Sequence, residues 1–168
     1  YGSVSLAYDS TFYLDVTGRN DWSSALAAEN RSYFYNSVSM SILLDKLFNL
    51  ENTAIDLLKV RGSIASVGND TDSQQLVNVF KIAANGFLDN VTVSRQNTLF
   101  SESLQPEDVE STEFGLEFRA FNNRFYGDFS YYDISSKNLI FDVPLDAGTG
   151  FDDFRTNVGE ITNKGFEI

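Results

Sequence analysis

The sequence predicts an all-β fold, an antiparallel up-and-down meander of strands. Apolar and polar residues alternate with a period of two in six segments, which is the pattern of strands with two unlike faces. Two connections, Asp9-Ser10 and Asn122-Asn123, have the residue types of tight hairpin turns. No apolar run approaches the roughly 18 residues of a membrane-spanning helix.

The alternation places the predicted strands in chain order at residues 3–8, 12–17, 33–44, 57–67, 113–120 and 125–131, with a weaker final strand at 157–168. Residues 18–31, 68–112 and 142–156 are long and polar and are interpreted as loops at the end of the meander opposite the tight turns. Inside the longest of them, residues 77–83 and 90–95 are expected to form a hairpin, because a connection of that length is rarely structureless. A short helical turn is expected around residues 47–50.

The two sides of this alternation differ in charge. No Asp, Glu, Lys or Arg occupies the apolar side of the first six strands. Representative members of the apolar side are Leu14, Val38, Met40, Val60, Leu116, Phe118 and Phe129. Charged members of the opposite side are Asp15, Arg19, Lys59, Arg61, Glu113, Glu117, Arg119 and Asp128.

An apolar side of this kind meets either a protein core or lipid, and three features favour lipid. The strands are about ten residues long, which suits a tilted strand that crosses a bilayer, whereas globular strands average about five or six. Short turns at one end and long loops at the other are typical of outer-membrane barrels. Aromatic residues cluster near strand ends, as at residues 33–35, where an interfacial girdle belongs. The sequence therefore predicts a segment of a transmembrane β-barrel, with the seven apolar residues facing lipid and the eight charged residues forming a lumen-facing wall.

Composition excludes several classes of function. With 12 basic and 24 acidic residues, the net charge is −12, which argues against a nucleic-acid footprint. The chain has no cysteine and no histidine, so a thiolate metal site and a catalytic imidazole base are both missing from it. We expect no cofactor and no enzymatic activity.

Five stretches of the chain are specific when taken together and in order. They are YLDVTGRNDWSSAL (13–26), ENRSYFYNSVSMSILL (29–44), LLKVRGSIASVGNDTD (57–72), LQPEDVESTEFGLEFRAFNNRFYGDFSYYD (104–133) and NVGEITNKGFEI (157–168). They resemble the barrel of SusC/RagA-type TonB-dependent outer-membrane transporters. Two departures are small: Gln105 stands where a lysine is usual, and Asn36 where proline is common.

This resemblance implies more than the pattern does. It implies that residues 1–168 are an open segment of a large transmembrane β-barrel of about 22 strands, in the outer membrane of a Gram-negative, Bacteroidetes-like bacterium, with the plug domain and TonB box absent from this chain. The implied function is import of glycans or peptides, with a SusD-like surface lipoprotein as a lid and with the TonB complex acting through the plug. Candidate loop contacts for an oligosaccharide or peptide substrate, or for the lid, are Asp21, Trp22, Asn69, Asp70 and Asp72.

Two other functions stay open at this stage. A soluble secreted β-sandwich that serves as a binding or adhesin domain would need a second sheet to cover the apolar side. An outer-membrane hydrolase is disfavoured, because these residues offer no histidine base.

Overall fold

The computed structural model describes residues 1–50, 53–73, 75–82 and 90–168, and within them the chain is almost entirely β-structure. The strands are β1 (Gly2–Tyr8), β2 (Phe12–Trp22), β3 (Ser32–Leu43), β4 (Ile55–Asn69), β5 (Phe80–Ile82), β6 (Val93–Arg95), β7 (Thr98–Phe100), β8 (Glu107–Ala120), β9 (Phe125–Lys137), β10 (Ile140–Pro144), β11 (Asp153–Asn157) and β12 (Glu160–Glu167). Helical structure includes α1 (Leu44–Leu47) and a 3-10 turn (Ala147–Thr149). In this described part of the chain, no helix has the length and apolar character needed to span a membrane.

One sheet of seven strands dominates the structure, in the order β1-β2-β3-β4-β8-β9-β12. Every neighbouring pair in it is antiparallel, which confirms the predicted meander. The tight turns are also where the sequence predicts them. Asp9 and Ser10 have φ of 50° and 48°, and residues 121–123 have φ between 57° and 60°. Asn and Asp tolerate this left-handed conformation better than most residues do.

Two smaller sheets lie along the connections. β10, β11 and β7 form one of them, and the antiparallel pair of β5 and β6 forms the other. The pair of β5 and β6 confirms the hairpin expected within the longest connection, although Ala83 lies outside the described residues.

The predicted strand ends are wrong in several places, because the ladders continue through polar sequence. β2 runs on to Trp22, β4 runs on to Asn69 and β8 begins at Glu107, so the predicted loops at 18–31 and 68–112 are shorter than expected. The predicted loop at 142–156 contains most of β10 and β11. Backbone pairing needs no apolar side chain once a neighbouring strand is in place. Polar composition therefore misplaces these boundaries.

Two further elements differ from the prediction. The helix occupies Leu44–Leu47 rather than residues 47–50, and directly follows β3. The single final strand predicted at 157–168 is divided, because β11 ends at Asn157 and β12 begins at Glu160. Gly159 lies between them with φ of 93°, a conformation that glycine adopts without strain and that interrupts the extended chain.

The large sheet is a single layer with both faces open. On the side of Met40 the large apolar residues are partly or fully exposed, with values of 49% for Met40, 56% for Val4 and 53% for Phe114. Among the described residues, the fully buried large side chains are Leu26 and Leu104, which belong to the connections at the loop end. The residues that the structure describes thus form no second sheet of the kind that a β-sandwich would pack against these strands.

Candidate functional site: the charged face and the loop-end cleft

The sheet brings all eight charged residues predicted for the wall onto one face. In a regular antiparallel pair, residues directly opposite each other point to the same side, so the register fixes which residues share a face. These residues are Asp15 and Arg19 on β2, Lys59 and Arg61 on β4, Glu113, Glu117 and Arg119 on β8, and Asp128 on β9. We call this side of the sheet the charged face. Whether it lines a lumen stays a prediction at this point.

Arg61 is the centre of the charged face. Its Nη1 and Nη2 donate to the two carboxylate oxygens of Asp128 at 2.7 and 3.0 Å, and its Nε lies 3.6 Å from Oε1 of Glu113. To reach Asp128 on β9, the side chain passes over Gly115 on β8. A Cβ at Gly115 would lie 2.6 Å from Nε of Arg61, so the glycine leaves the space in which the guanidinium rests. This arrangement links three strands through one side chain.

A second chain of charges runs beside it toward the tight turns. Nζ of Lys59 lies 3.8 Å from Oε2 of Glu117, whose other oxygen accepts a hydrogen bond from Nη2 of Arg119 at 2.8 Å. Glu117 is thus shared by two cations. Because all three groups are partly exposed, the pairs add little to stability and mainly fix the positions of the charges.

The charged face continues onto β2 and β3 at the loop end. Nε of Arg19 donates to Asp21 at 2.8 Å, and the hydroxyl of Tyr35 donates to the other oxygen of the same carboxylate at 2.6 Å. Asp15 lies between Ser5 and Ser39 in the register. Within the described part of the chain its carboxylate makes no ion pair, so it is an unpaired negative charge on this face.

Aromatic side chains also belong to this face, and a prediction based on charge alone missed them. The register places Tyr35 and Tyr132 among the charged residues, and the ring of Tyr35 stacks on that of Tyr33 at 6.1 Å. Tyr132 lies over Gly165, where a Cβ would come 2.5 Å from its hydroxyl. The period-two alternation could have identified them, because both tyrosines occupy positions on the polar side of their strands. They add flat surfaces on which a sugar ring or a peptide group can stack.

The five candidate loop residues fall into two places. Asp21 and Trp22 are the last two residues of β2, and Asn69 ends β4, so the prediction that these three lie in loops is wrong. Asp21 points to the charged face, whereas Trp22 shares the alternation of Leu14 on the other side. Asp70 and Asp72 lie beyond β4 as predicted.

Asn69, Asp70 and Asp72 line an open cleft of about 570 Å³ at the loop end. Its other walls come from the β10–β11 hairpin, through Asp142 and Arg155, and from Glu107 at the start of β8. The amide of Asn69 donates to Glu107 at 2.9 Å, and the hydroxyl of Ser23 donates to Asp70. The cleft therefore presents carboxylate and amide groups held by neighbouring loops. Among the described residues, no group of three or more potential metal ligands is assembled.

Arg155 and Asp142 form the best-defined ion pair of the cleft. Nε and Nη2 of Arg155 donate to the two oxygens of Asp142, each at 2.6 Å. These hydrogen bonds, with the attraction of the guanidinium, lower the pKa of Asp142 against the opposing effect of partial burial. The pair thus stays charged at neutral pH and holds the hairpin beside the cleft.

Two buried leucines lie in connections at the loop end of the sheet. Leu26 and Leu104 are both 0% exposed, although they are far apart in sequence. The Asn30 amide donates to the carbonyls of Ser103 and Leu104 at 3.3 and 3.1 Å, and Nε of Arg31 donates to the carbonyl of Leu26 at 3.2 Å. This packing makes the connection after β2 and the segment before β8 one unit.

The opposite side of the sheet, which we call the apolar face, carries the residues predicted to face lipid. They are Leu14, Val38, Met40, Val60, Leu116, Phe118 and Phe129. Val60, Leu116 and Phe129 occupy directly paired positions on three strands. The structure thus places the seven residues together, and contact with lipid stays a prediction.

Comparison with known proteins identifies the family. The family model described as "TonB dependent receptor-like, beta-barrel" matches residues 1–168. The chain belongs to this family of TonB-dependent receptor β-barrels. The family is one of receptors and transporters rather than enzymes, and membership places the chain in the outer membrane, as predicted.

The relatives support the assignment over the whole chain. TonB-dependent receptors P26 and P3 of Formosa agariphila are 28% and 27% identical to it, and each alignment covers 100% of the chain. The RagAB peptide importer in its closed-closed state superposes with a TM-score of 0.87 at 27% identity over 98% of the chain. The SusC/RagA-type resemblance and the interpretation as an open barrel segment are confirmed.

A more distant structure shares only the fold. The siderophore receptor PirA from Pseudomonas aeruginosa superposes with a TM-score of 0.65 at 18% identity. The chain covers 17% of the length of the two Formosa receptors and 18% of the RagAB chain. It thus corresponds to about a sixth of such a protein.

Proposed function

We propose that this segment forms part of the wall of a TonB-dependent importer that takes up peptides or oligosaccharides across the outer membrane. The charged face lines the lumen, and the apolar face contacts lipid. The observation that carries the proposal is a single continuous sheet whose two faces have opposite character and lack a second layer in the described residues. A lipid-facing barrel wall needs an uncovered apolar outside and a polar inside.

The proposed substrate classes follow from the chemical groups that the charged face and the cleft expose. The charged face offers paired charges and tyrosine rings, and the loop-end cleft offers carboxylates and amides. Such groups bind the backbone of a peptide or the hydroxyls of a sugar. The RagAB protein is described as a peptide importer. We take peptides as the first substrate class to test and oligosaccharides as the second.

The partners are part of the proposal. A SusD-like surface lipoprotein would cover the extracellular mouth, next to the loop-end cleft and the loops held by Leu26 and Leu104. The TonB complex would act through a plug domain that lies outside residues 1–168. This segment would therefore contribute the wall and part of the mouth.

Uptake by the intact parent protein tests the proposal. Cells that lack the parent gene would receive the wild-type parent or one carrying Asp70→Asn and Asp72→Asn, and uptake of labelled peptides and oligosaccharides would be measured. We expect the wild type to restore uptake of one substrate class, and the double variant to lower it, because the cleft loses two charges that contact the ligand. Val38→Ile on the apolar face is the matched control and should transport normally.

Folding is measured separately, so that a loss of uptake can be attributed to the cleft and not to a barrel that fails to fold. The folded barrel in outer-membrane fractions resists unfolding by detergent without heat, and its amount should be equal in all variants. Normal uptake by the double variant would show that the cleft is not a ligand site. No change in uptake on deletion of the parent would refute import of either substrate class.

A further inference from the structure

A second open pocket, of about 780 Å³, lies at the loop end and shares none of the described residues that line the cleft. Its walls come from four segments that are distant in sequence, residues 27–29, 76–78, 99–100 and 102–103. The lining includes four large apolar residues and two carboxylates, namely Leu76, Val77, Leu99, Phe100, Glu29 and Glu102. We call it the leucine pocket. Its volume lies in the range of roughly 300–1,000 Å³ that is typical of ligand pockets.

Side-chain amides tie the walls of the leucine pocket to one another. Nδ2 of Asn78 donates to the carbonyl of Thr98 at 2.7 Å, and its Oδ1 accepts from the backbone N–H of Phe100 at 3.2 Å. This one side chain thus engages β7 along one edge, while β11 pairs with β7 in parallel. The amide of Asn30 joins the wall at 27–29 to the carbonyls of Ser103 and Leu104. The walls are therefore fixed in the absence of a ligand, which lowers the entropic cost of binding one.

The two carboxylates of the leucine pocket lack a counter-charge. Glu29 and Glu102 are exposed, and within the described part of the chain neither forms an ion pair. Among the residues that the structure describes, no lysine or arginine lines the pocket. The net charge of −12 adds a long-range attraction for cations. The chemistry of the pocket thus matches a ligand that carries a positive group beside an apolar one.

We propose that the leucine pocket is a peptide subsite that takes a large apolar side chain next to an ammonium or guanidinium group. The apolar group would contact Leu76, Phe100 and Val77, the last of which is 64% exposed. The positive group would lie beside Glu29 and Glu102. A neutral oligosaccharide would leave both carboxylates without a counter-charge, so the pocket favours peptides among the two substrate classes.

This inference rests on the proposed function, because it requires the loop end to meet the imported substrate. Binding of labelled peptides to the purified full-length parent in detergent tests it. Four peptides of equal length would carry the fluorophore at the C-terminal end: one with a free N-terminus and adjacent lysine and phenylalanine, and three that differ from it by N-acetylation, glutamine for the lysine, or serine for the phenylalanine. We expect the first to bind most tightly. Acetylation and the loss of the lysine distinguish the two sources of the positive group.

Variants of the parent separate the two halves of the subsite. Glu29→Gln combined with Glu102→Gln should lower the affinity for the cationic peptide roughly fivefold, the size expected for two exposed ion pairs. Val77→Ser should weaken binding of the phenylalanine peptides but not of the serine peptide. Asp9→Asn is the matched control, because it removes a carboxylate from a tight turn at the opposite end, where asparagine tolerates the left-handed backbone, and it should bind like the wild type.

Equal affinity for the charged and neutral peptides, or unchanged binding by the double glutamine variant, would overturn the subsite while uptake by the parent still supports the proposed function. Absence of both binding and uptake for peptides and oligosaccharides would overturn the two together. If the variants fail to assemble, the wild type decides, because binding of the cationic peptide that does not weaken with added salt would refute the charge pairing. Protection of Glu102→Cys from a maleimide by a surface lipoprotein, without peptide, would make the pocket a lid contact and overturn the subsite.

Discussion

Placing a charge at two depths of a single strand gives a quantitative test of the proposed lipid contact. Met40 and Phe34 lie on the same face of β3 and are 49% and 66% exposed, so neither fills a protein core. Six residues separate them (40 to 34), which is about 20 Å along the strand and about 14 Å in depth at a tilt of about 45°. Aromatic residues near strand ends are expected at the membrane interface, so we take Phe34 as the outer edge of an apolar band about 25 Å tall, and Met40 then lies close to the middle.

Met40→Arg should therefore lower the free energy of unfolding in the bilayer by about 2–4 kcal/mol, and Phe34→Arg by about 0–1 kcal/mol. The measurement is reversible urea unfolding of the full-length parent in lipid vesicles. Ser39→Arg is the matched control, because its side chain points to the charged face, opposite Asp15 in the register, and should cost little. Equal losses for Met40→Arg and Phe34→Arg, or a loss for Ser39→Arg as large as that for Met40→Arg, would refute the reasoning.

Three further predictions concern the charged face, the loops and the cleft. Gly115→Val should push Arg61 away from Asp128 and reduce substrate uptake. It should change the free energy of unfolding by less than about 1 kcal/mol, because exposed ion pairs contribute little. A barrel that fails to assemble would contradict this. Leu26→Ala should open a cavity that lowers the stability of the connection after β2 by about 2–5 kcal/mol. Proteolysis after β2 should then be faster while the barrel stays intact. Unchanged cleavage would show that the leucine does not stabilise this connection. The fold lowers the pKa of Asp142, so its pairing with Arg155 should stabilise the β10–β11 hairpin at pH values above the usual aspartate pKa of about 3.9. This stabilisation should be lost as the pH falls through the lower pKa of the folded state. Hydrogen exchange in the hairpin should therefore rise on acidification in the wild type, but not in Asp142→Asn.

Much of the main sheet could be predicted, because its determinants are local. Alternation over ten or more residues fixes which side chains share a face, and Asn122 and Asp9 carry the turn geometry within a few residues. The eight charged and seven apolar residues fall on the predicted sides for the same reason. Nothing outside each strand is needed for that inference.

The rest depends on contacts between distant parts of the chain. Leu26 and Leu104 are fully buried, although the polar sequence around each of them does not indicate burial. Arg61 reaches over β8 to Asp128, a pairing that depends on the gap left by Gly115. The sequence does not predict β10 and β11, because residues 142–156 are rich in Gly and Asp; in the structure β11 pairs with β10 and also, in parallel, with the distant β7. Periodicity alone contains no information about such partners.

If the charged face lines the lumen as proposed, the pairing of its charges affects how a solute moves past it. Arg19, Lys59, Arg61 and Arg119 each already have a carboxylate within 4 Å, so an arriving anionic group would have to compete with a covalently tethered rival. Such a surface attracts water and polar solutes weakly and everywhere, rather than strongly at one spot. Residence times along it should be short, and passage should be governed by width more than by affinity. On this proposal, selectivity would reside at the mouth of the channel, and the lumen wall would conduct any solute that has passed the mouth.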